Sequence, residues 1–374
     1  MKIAIIGGGA AGLMAAATAH ETNPEAEIFV IEQNDGLGKK VIISGGGRCN
    51  VTTGIEDVRT VLTKYPRGSK FLTTAMYAFA PLKVREWFEA RGVPLKCEED
   101  LRVFPVSDDG RDIVRVFERM FASGDVRVML RARVDGISRV ADGFVVKVKQ
   151  GAESVGLQVD RVILTTGGQA YRHTGSTGDG YAFAMSLGHT LTRLAPSLNA
   201  FFTRERWTAD ISGLSFERAR ITAKRGGGKG ISFVGPFLFT HRGVSGPAVF
   251  ALSSMVAFER YDNELPLEIT VDLFPDITVE GVRERIEQLI EENPSRILQN
   301  VLGELVPKSL VEIMMREVGL PAERRVIEVA KKDILRVAQW LKGIPLTVIQ
   351  RGAGDEFVTA GGVPLEEVDP RTME

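Results

Sequence analysis

A glycine-rich loop near the N-terminus constrains the fold of this chain more than any other segment. The loop carries Gly7, Gly9 and Gly12, and it follows a short β-branched run, Lys2–Ile6, that is typical of a buried parallel strand. Gly7 permits a tight turn, Gly9 lets the backbone approach a pyrophosphate, and Gly12 lets a following helix pack close to the strand. The pattern predicts the first turn of a dinucleotide-binding unit.

The segments after this loop complete a strand–helix–strand unit. Ala10 and Ala11 lead into an alanine-rich helical segment, Leu13–His20, whose N-terminus offers free N–H groups and a positive dipole end to phosphates. A second strand, Ile28–Ile31, ends at Glu32, which lies 20 residues after the last glycine of the loop. A carboxylate at this position accepts hydrogen bonds from an adenosine ribose and repels a 2′-phosphate.

A second glycine loop follows the acidic residue. Residues 36–50 bring the cations Lys39, Lys40 and Arg48 and the backbone N–H groups of residues 44–47. A simple dehydrogenase does not need such a loop, whereas a flavin enzyme must cover a longer cofactor from the pyrophosphate to the ring. The loop therefore favours FAD over NAD, although spacing alone leaves open a mobile surface loop with scattered charge.

Further strands and a third glycine loop follow. The strand-like runs are Val126–Met129, Phe144–Lys149 and Leu157–Leu164. After the last run come Thr166 and Gly167, and then a loop at residues 174–181 that leads into a helix. Asp179 is predicted to cap this helix, and Gly178 allows the backbone to lie against a flat ring.

The chain resembles a bacterial flavoprotein family that includes aminoacetone oxidase and the BaiN-type steroid enone reductases. The resemblance lies in the segments GGGAAGLMAA, GKKVIISGGGRCNVT, LRVFPVSDDG, TGSTGDGYAFAMSLGHT, FTHRGVSGPAV and VTAGGV. It covers essentially the whole chain, and it implies a scaffold with tightly bound FAD and an inserted domain that covers the flavin. Family members continue past the position of Glu374 into a further glycine-rich strand and helix that bind the ribityl and ring end of the flavin.

Residues and resemblance together predict the α/β fold class and the cofactor site. The fold is a Rossmann-like FAD-binding domain of the glutathione-reductase or fumarate-reductase type, with an inserted β-barrel-like unit and a small helical unit. The predicted cofactor-binding residues are Gly7, Gly9, Ala10, Ala11, Gly12, Glu32, Gln33, Lys39, Lys40, Ser44, Gly45, Gly46, Arg48, Cys49, Asn50, Val134, Thr166, Gly167, Gly178 and Asp179. No metal site is predicted, because two separated cysteines give no metal-binding pattern.

Changes in sequence pattern divide the chain into three predicted domains. A discontinuous FAD-binding domain covers residues 1–190 and 346–374, because the resemblance implies that the chain re-enters this domain near its end. An antiparallel, barrel-like domain covers residues 191–276, where apolar and polar residues alternate between turns. A helical subdomain covers residues 277–345, where Thr278 is predicted to cap the first helix and Ile286, Leu289 and Ile290 form an apolar stripe.

Three residues are predicted to take part in catalysis. His241 lies in the family motif FTHRGVSGP and is predicted to donate a proton to a substrate, since histidine titrates near neutral pH. A histidine that only holds a loop is an equal alternative. Arg48 and Tyr171 are the other two candidates, and His173 is a weaker one. Cys49 has no C-x-x-C partner, so loop packing is favoured over a redox role.

Charge and composition do not identify the substrate that reacts with the flavin. The leading prediction is hydride transfer between a small molecule and FAD, with NAD(P)H or oxygen as the other partner. An alternative is the reduction of uridine in ribosomal RNA, with RNA bound by the basic stretch Arg204–Lys229, in which Trp207 and Phe216 are interleaved. A further alternative is a non-catalytic flavin-binding protein. The net charge of -1 and the lack of a long apolar run give no sign of membrane contact. Two separated cysteines without a disulfide framework fit a reducing cytoplasm, and the oligomeric state stays open.

Overall fold

The chain forms two compact units in a computed structural model. The structure describes residues 1–122, 124–224, 230–352 and 356–374. The first unit contains residues 1–194 and 361–374, and the second unit contains residues 195–360. The second unit is therefore one continuous insertion in the first.

The first unit contains three sheets and the helices that cover them. Its strands are β1 Lys2–Ile6, β2 Glu27–Ile31, β3 Thr52–Thr53, β4 Leu95–Cys97, β5 Arg102–Pro105, β6 Val126–Met129, β7 Ala132–Val140, β8 Gly143–Gln150, β9 Glu153–Val159 and β10 Arg161–Leu164. Its helices are α1 Ala10–Thr22, α2 Lys39–Ile43, α3 Val58–Leu62, α4 Ser69–Ala78, α5 Pro81–Glu89, α6 Arg111–Phe121 and α7 Asp179–Ser186.

A parallel four-stranded sheet is the centre of the first unit. Its strand order is β10-β1-β2-β6, with Ile3 opposite Ile28 and Arg161. Apolar side chains of β1 and β2 are buried on both faces of the sheet, as expected for strands that helices and a second sheet cover. The antiparallel sheets β3-β5-β4 and β7-β8-β9 complete the unit. The predicted Rossmann-like domain is confirmed by this sheet and its glycine turn.

One predicted strand is divided in two. The run Leu157–Leu164 was expected to be continuous, but the chain changes sheet at Asp160. Residues before Asp160 pair antiparallel with β8, and residues after it pair parallel with β1. Asp160 fixes the corner, because its backbone N–H donates to the carbonyl of Lys2 and its carboxylate accepts from the N–H of Lys2 at 2.7 Å.

The second unit contains a closed barrel, which confirms the barrel-like insertion. Its strands are β11 Ala195–Ser197, β12 Phe201–Thr203, β13 Ser215–Ala223, β14 Ile231–Thr240, β15 Gly243–Ser245, β16 Leu267–Asp272, β17 Ile344–Arg351 and β18 Val358–Ala360. Six of them close in the order β12-β15-β14-β13-β16-β17, and β11 pairs with β18. Closure leaves no free strand edge in the barrel.

Five helices of the second unit share one apolar core with the barrel. They are α8 Pro247–Met255, α9 Val279–Glu292, α10 Leu298–Leu302, α11 Lys308–Glu317 and α12 Lys331–Leu341. The Thr278 hydroxyl caps α9 by accepting from the N–H of Gly281 at 3.1 Å, as the sequence indicated. Ile286 is fully buried in the core, and Leu289 and Ile290 pack against it.

The domain boundaries differ from the sequence-based expectation in two respects. The strand β17 lies between β12 and β16 and closes the barrel, whereas residues 346–360 were assigned to the FAD-binding domain. The barrel and the helices also belong to one compact unit rather than two. Within the described ranges, no helix is both long and apolar enough to span a membrane.

Candidate active site

The glycine loop joins β1 to α1 and gives the helix an open N-terminus. Gly7 has a φ of 109°, and a Cβ there would lie 2.7 Å from the carbonyl oxygen of Thr165. A Cβ on Gly12 would lie 1.9 Å from the carbonyl oxygen of Gly7, so α1 packs directly on the turn. A Cβ on Gly9 would meet no atom within 4 Å. The space beside Gly9 and the free N–H groups of the first helical turn form a cradle for an anion.

Glu32 at the end of β2 is tied to this loop. The buried carboxylate accepts from the N–H of Gly8 at 2.7 Å through one oxygen. Its other oxygen accepts from the N–H of Asn34 at 2.8 Å and from the Asn34 side-chain amide at 2.7 Å. Glu32 therefore fixes the glycine loop to the second strand in addition to facing the cavity described below.

The third glycine loop is held against the same strand end. The Gln33 amide donates to the Gly175 carbonyl at 2.6 Å, and the Asn34 amide donates to the Thr174 carbonyl at 3.0 Å. The Lys40 ammonium donates to the Ala170 carbonyl and to the Ser176 hydroxyl, both at 2.7 Å. Both acceptors of Lys40 are neutral, and partial burial lowers the pKa of its ammonium.

These loops surround one cavity of about 780 Å³ in the first unit. Most of the predicted cofactor-binding residues line it, namely Gly7, Gly9, Ala10, Ala11, Glu32, Gln33, Lys39, Lys40, Ser44, Cys49, Asn50, Val134, Thr166, Gly167 and Asp179. Segments that are far apart in sequence, including both ends of the second glycine loop, thus meet around one space.

Arg48 and the glycines before it lie outside the cavity lining. The Arg48 guanidinium donates to the Glu98 carboxylate at 2.6 Å, and it stacks over the Phe104 ring at 3.8 Å. Gly45 and Gly46 have φ values of 57° and 73° in a short turn. This geometry makes Arg48 a support of the loop, which differs from the predicted contact with the cofactor.

Cys49 lines the cavity as a buried thiol. Only 4% of the residue is exposed, and burial raises the pKa of the thiol, with a smaller opposing effect of a hydrogen bond with Ser44. A raised pKa keeps the sulfur protonated at neutral pH, where a thiol is a poor nucleophile. The packing role that the sequence favoured agrees with this environment.

The other predicted site residues occupy different positions. Tyr171 has a φ of 55°, contacts the His173 ring edge-on at a centroid distance of 5.8 Å and lies outside the cavity lining. His241 is exposed on the turn between β14 and β15 of the second unit. Asp179 is the first residue of α7 rather than its cap, because Gly178 occupies the capping position and the Asp179 carboxylate faces Arg133 at 3.8 Å.

An apolar part of the cavity lining was not predicted. It consists of Met14, Val51, Phe79, Val84, Phe88, Ile113 and Phe117. These side chains come mainly from α1, α5 and α6, and their helical spacing is the same as that of ordinary core residues. Asn34 was also missed, although its position two residues after Glu32 is a usable signal.

Two cations of the basic stretch Arg204–Lys229 are paired with carboxylates within the second unit. Arg218 forms a two-bond ion pair with Asp276, and Arg220 lies 3.5 Å from the Asp272 carboxylate. Trp207 and Phe216 pack against Phe239 in the apolar core, so their rings are not available for stacking on bases. Arg225 and Lys229 lie outside the described residues.

Comparisons with known proteins find relatives in sequence and a distant similarity to a solved structure. The chain is 30% identical to a 3-dehydro-bile acid delta(4,6)-reductase of Clostridium scindens over 100% of the chain and 89% of that protein. It is 28% identical to a ribosomal RNA dihydrouridine synthase of Haemophilus influenzae, over 99% of the chain and 88% of that protein. A solved 3-ketosteroid-delta4-(5alpha)-dehydrogenase of Rhodococcus jostii RHA1 is similar with a TM-score of 0.46 and 14% identity, over 96% of the chain and 84% of that structure.

A family model for the whole length agrees with the relatives. The model is described as the HI0933-like protein Rossmann domain, and it matches residues 1–374. The match therefore includes the glycine loop, the cavity and the inserted barrel. The chain belongs to the HI0933-like Rossmann-domain family.

Proposed function

We propose that the protein is an FAD-dependent oxidoreductase that transfers a hydride between a substrate and the flavin. The observation that carries this proposal is the single cavity of about 780 Å³ that the first and second glycine loops line together. A cavity that begins at a phosphate-binding helix terminus and extends to a second loop suits a long dinucleotide. The relatives named as a reductase and as a dihydrouridine synthase support a reductive reaction.

The residues of the cavity fit the parts of FAD. The open N-terminus of α1 beside Gly9 would hold the pyrophosphate, and Lys40 would add a positive charge. Glu32, Gln33 and Val134 would hold the adenosine end. Ser44 and Asn50 would offer polar groups toward the flavin end.

FAD supplies the hydride chemistry when it is bound, and the protein supplies position and electrostatics. The apolar residues of the cavity exclude water, which strengthens every polar interaction inside it. The protonated Cys49 thiol adds no negative charge to the cavity lining. Tyr171 and His241 stay as proposed proton donors, whereas the ion pair of Arg48 with Glu98 favours a supporting role for that residue.

The substrate is either a small molecule or RNA. A small unsaturated ketone is the leading proposal, because the relative with 30% identity is named a bile acid reductase. Reduction of uridine in ribosomal RNA is the second candidate, and the basic segment described in the next subsection favours it. NAD(P)H is the proposed electron donor for both reactions.

Anaerobic stopped-flow spectroscopy tests the proposed function. The purified protein, loaded with FAD, should lose its visible flavin absorbance on mixing with NADH or NADPH, and oxygen or an electron-accepting substrate should restore it. Failure of both nucleotides to bleach the flavin would contradict the reductase proposal. Bound FAD that no donor or acceptor can cycle would indicate a non-catalytic flavin-binding protein.

A Gly9→Val variant tests whether the pyrophosphate of FAD binds beside the first glycine loop. The valine side chain would enter the space beside the first turn of α1, where the structure leaves room within 4 Å. We expect this variant to fold but to purify without FAD, because the added side chain occupies the place of the pyrophosphate. A yellow, FAD-loaded variant would show that the pyrophosphate lies elsewhere.

A further inference from the structure

A segment of the first unit carries positive charge that the proposed FAD site does not use. Between Val58 and Arg85 the sequence contains no Asp or Glu. The basic residues in this interval are Arg59, Lys64, Arg67, Lys70, Lys83 and Arg85. A longer run without Asp or Glu, residues 218–258, lies in the second unit, so the length of this interval is not exceptional. Its six basic residues, flanked by Asp57 and Glu86, predict a local positive potential.

The helix α4 presents part of this charge together with an aromatic ring. Lys70, Thr74 and Tyr77 are all exposed, and their spacing places them on one side of the helix. The Tyr77 side chain is 52% exposed, which is high for an aromatic residue. An exposed ring beside a lysine is the arrangement that proteins use to stack on unpaired bases.

Two further cations lie beside Tyr77. The Arg59 guanidinium on α3 donates a hydrogen bond to the Tyr77 hydroxyl, and the Lys83 ammonium donates to the Ala78 carbonyl at 3.0 Å. Arg59, Lys70, Tyr77 and Lys83 are called the basic face below. In the part of the chain that the structure describes, Arg59, Lys70 and Lys83 form no ion pair within 4.0 Å, and the carboxylate of Asp57, which caps α3, interacts electrostatically with Arg59.

The basic face is adjacent in sequence and in space to the cavity. Phe79 follows Tyr77 by two residues, is 37% exposed and lines the cavity, and Val84 follows Lys83 and also lines it. A polymer bound on the basic face would therefore place one of its own units close to Phe79 and Val84 at the edge of the cavity lining. In the barrel stretch, Arg218 and Arg220 have carboxylate partners, whereas Arg206 and Lys224 are exposed.

We propose that the basic face binds single-stranded RNA. The three cations would contact phosphates, and the Tyr77 ring would stack on an unpaired base. The proposal rests on the second candidate function, in which RNA is the substrate. Single-stranded RNA suits the site better than a duplex, because a stacking ring needs a base that is free of its partner.

Fluorescence anisotropy with a labelled 12-nucleotide oligouridine tests this proposal on the FAD-loaded protein. We expect the double variant Lys70→Gln/Lys83→Gln to bind more weakly and to reduce the slope of log K against log salt by about 1.4, since each single-strand phosphate contact contributes about 0.7. Tyr77→Leu should weaken binding about 5- to 150-fold, which is the loss from one stacked base, and Tyr77→Phe should retain most of the affinity.

The double variant Arg206→Gln/Lys224→Gln is the control for net charge. It also removes two exposed cations, but from the barrel stretch of the second unit. We expect it to bind RNA nearly as well as the wild type. The proposal is wrong if the barrel variant loses binding while the basic-face variant keeps it, if all variants bind alike, or if the wild type binds no RNA.

The flavin provides a readout that separates this proposal from the function on which it rests. Flavin absorbance, bleaching by NAD(P)H and the melting temperature should be unchanged in Lys70→Gln/Lys83→Gln. Normal flavin cycling with no RNA binding in the wild type would overturn the docking proposal and leave the oxidoreductase intact. RNA binding without flavin cycling would overturn the oxidoreductase and leave the docking surface intact.

Discussion

Two neighbouring lysines at the start of α2 have different surroundings. Lys39 pairs with Asp35 at 2.7 Å near the surface, whereas the ammonium of Lys40 is partly buried on two neutral acceptors. A cation removed from water without a counter-charge is costly, so an anionic ligand would stabilise it. The N–H of Gly38, just before these lysines, donates to the Gly8 carbonyl, which places Lys40 close to the first glycine loop.

We predict that Lys40→Met weakens FAD binding roughly ten-fold or more, whereas Lys39→Met changes it little. A hydrogen bond to a charged group contributes about 1.5–3 kcal/mol, and an exposed ion pair contributes about 0–1 kcal/mol. Quenching of flavin fluorescence on titration into apoprotein measures both affinities. Riboflavin, which lacks phosphate, should bind to the wild type and to Lys40→Met alike, and an equal loss for riboflavin would indicate a collapsed loop instead.

Sequence patterns predicted individual residues well where one residue type has one geometric role. The glycine loop and Glu32 were predictable because a turn, a close backbone contact and a carboxylate at the strand end each require a particular residue. Arg48 was harder to predict, because a guanidinium can bind a phosphate or a carboxylate equally well. Its partner Glu98 lies 50 residues away, and no pattern in the sequence indicates that pairing.

The last described segment of the chain is held to the rest of the first unit by the Glu367 carboxylate and by hydrogen bonds between Thr192 and Gly362. Glu367, in the short turn Leu365–Glu367, accepts from the N–H of Thr190 at 3.0 Å and lies 3.0 Å from Nδ1 of His189. The hydrogen bonds of the Thr190 hydroxyl and N–H hold the pKa of Glu367 below its ordinary value of 4.5. The ionised carboxylate is therefore the form that the folded state favours.

We predict that acid weakens the attachment of this segment through Glu367. A lowered pKa means that the attachment is complete above pH 4.5 and is lost as the pH falls through the lowered value. At pH 7, Glu367→Gln should increase hydrogen exchange of the amides in residues 361–374, as measured by mass spectrometry. Glu366→Gln, which changes the neighbouring exposed carboxylate, should exchange like the wild type. Equal exchange in both variants would contradict the attachment.

The sequence predicted where strands lie better than it predicted which strands pair with one another. The run Val126–Met129 has the bounds that the sequence indicated, but Leu157–Leu164 contains the end of one strand and the whole of another. Both parts are apolar and β-branched, so periodicity cannot reveal that Asp160 redirects the chain from an antiparallel to a parallel neighbour. The same reason explains why β17 was assigned to the wrong side of a domain boundary, since its pattern does not specify β12 and β16 as partners.

At the scale of the whole molecule, the second unit has its own core and adjacent ends. Most of its buried apolar residues form one cluster, which extends from Phe201 to Val348, and Ala195, Ala257 and Ala360 form a second, small cluster. Ala195 and Ala360 are paired across β11 and β18, so the two ends of the insertion lie side by side. The position of a boundary between two such units depends on these long-range pairs, which a local pattern does not contain.

We predict that residues 195–360 fold as an isolated fragment. The fragment should show a strand-rich circular dichroism spectrum and a cooperative thermal transition, because it keeps every strand of the barrel and the helices that cover it. A fragment of residues 195–343 should not fold, because β12 and β16 would both lose β17 as a partner. Absence of a cooperative transition in the longer fragment would contradict the prediction, as would equal folding of the shorter one.

The pairing of β12 with β17, which closes the barrel, also determines when the barrel can fold during synthesis on the ribosome. Phe201 and Arg351 are partners in the sheet, so the first barrel strand waits for its neighbour while about 150 further residues are made. At roughly 5–20 residues per second, this interval lasts about 8–30 seconds. The parallel sheet of the first unit is complete at Leu164 and does not wait. The period of greatest exposure to misassembly therefore comes late in synthesis, when the open barrel still presents two unpaired strand edges.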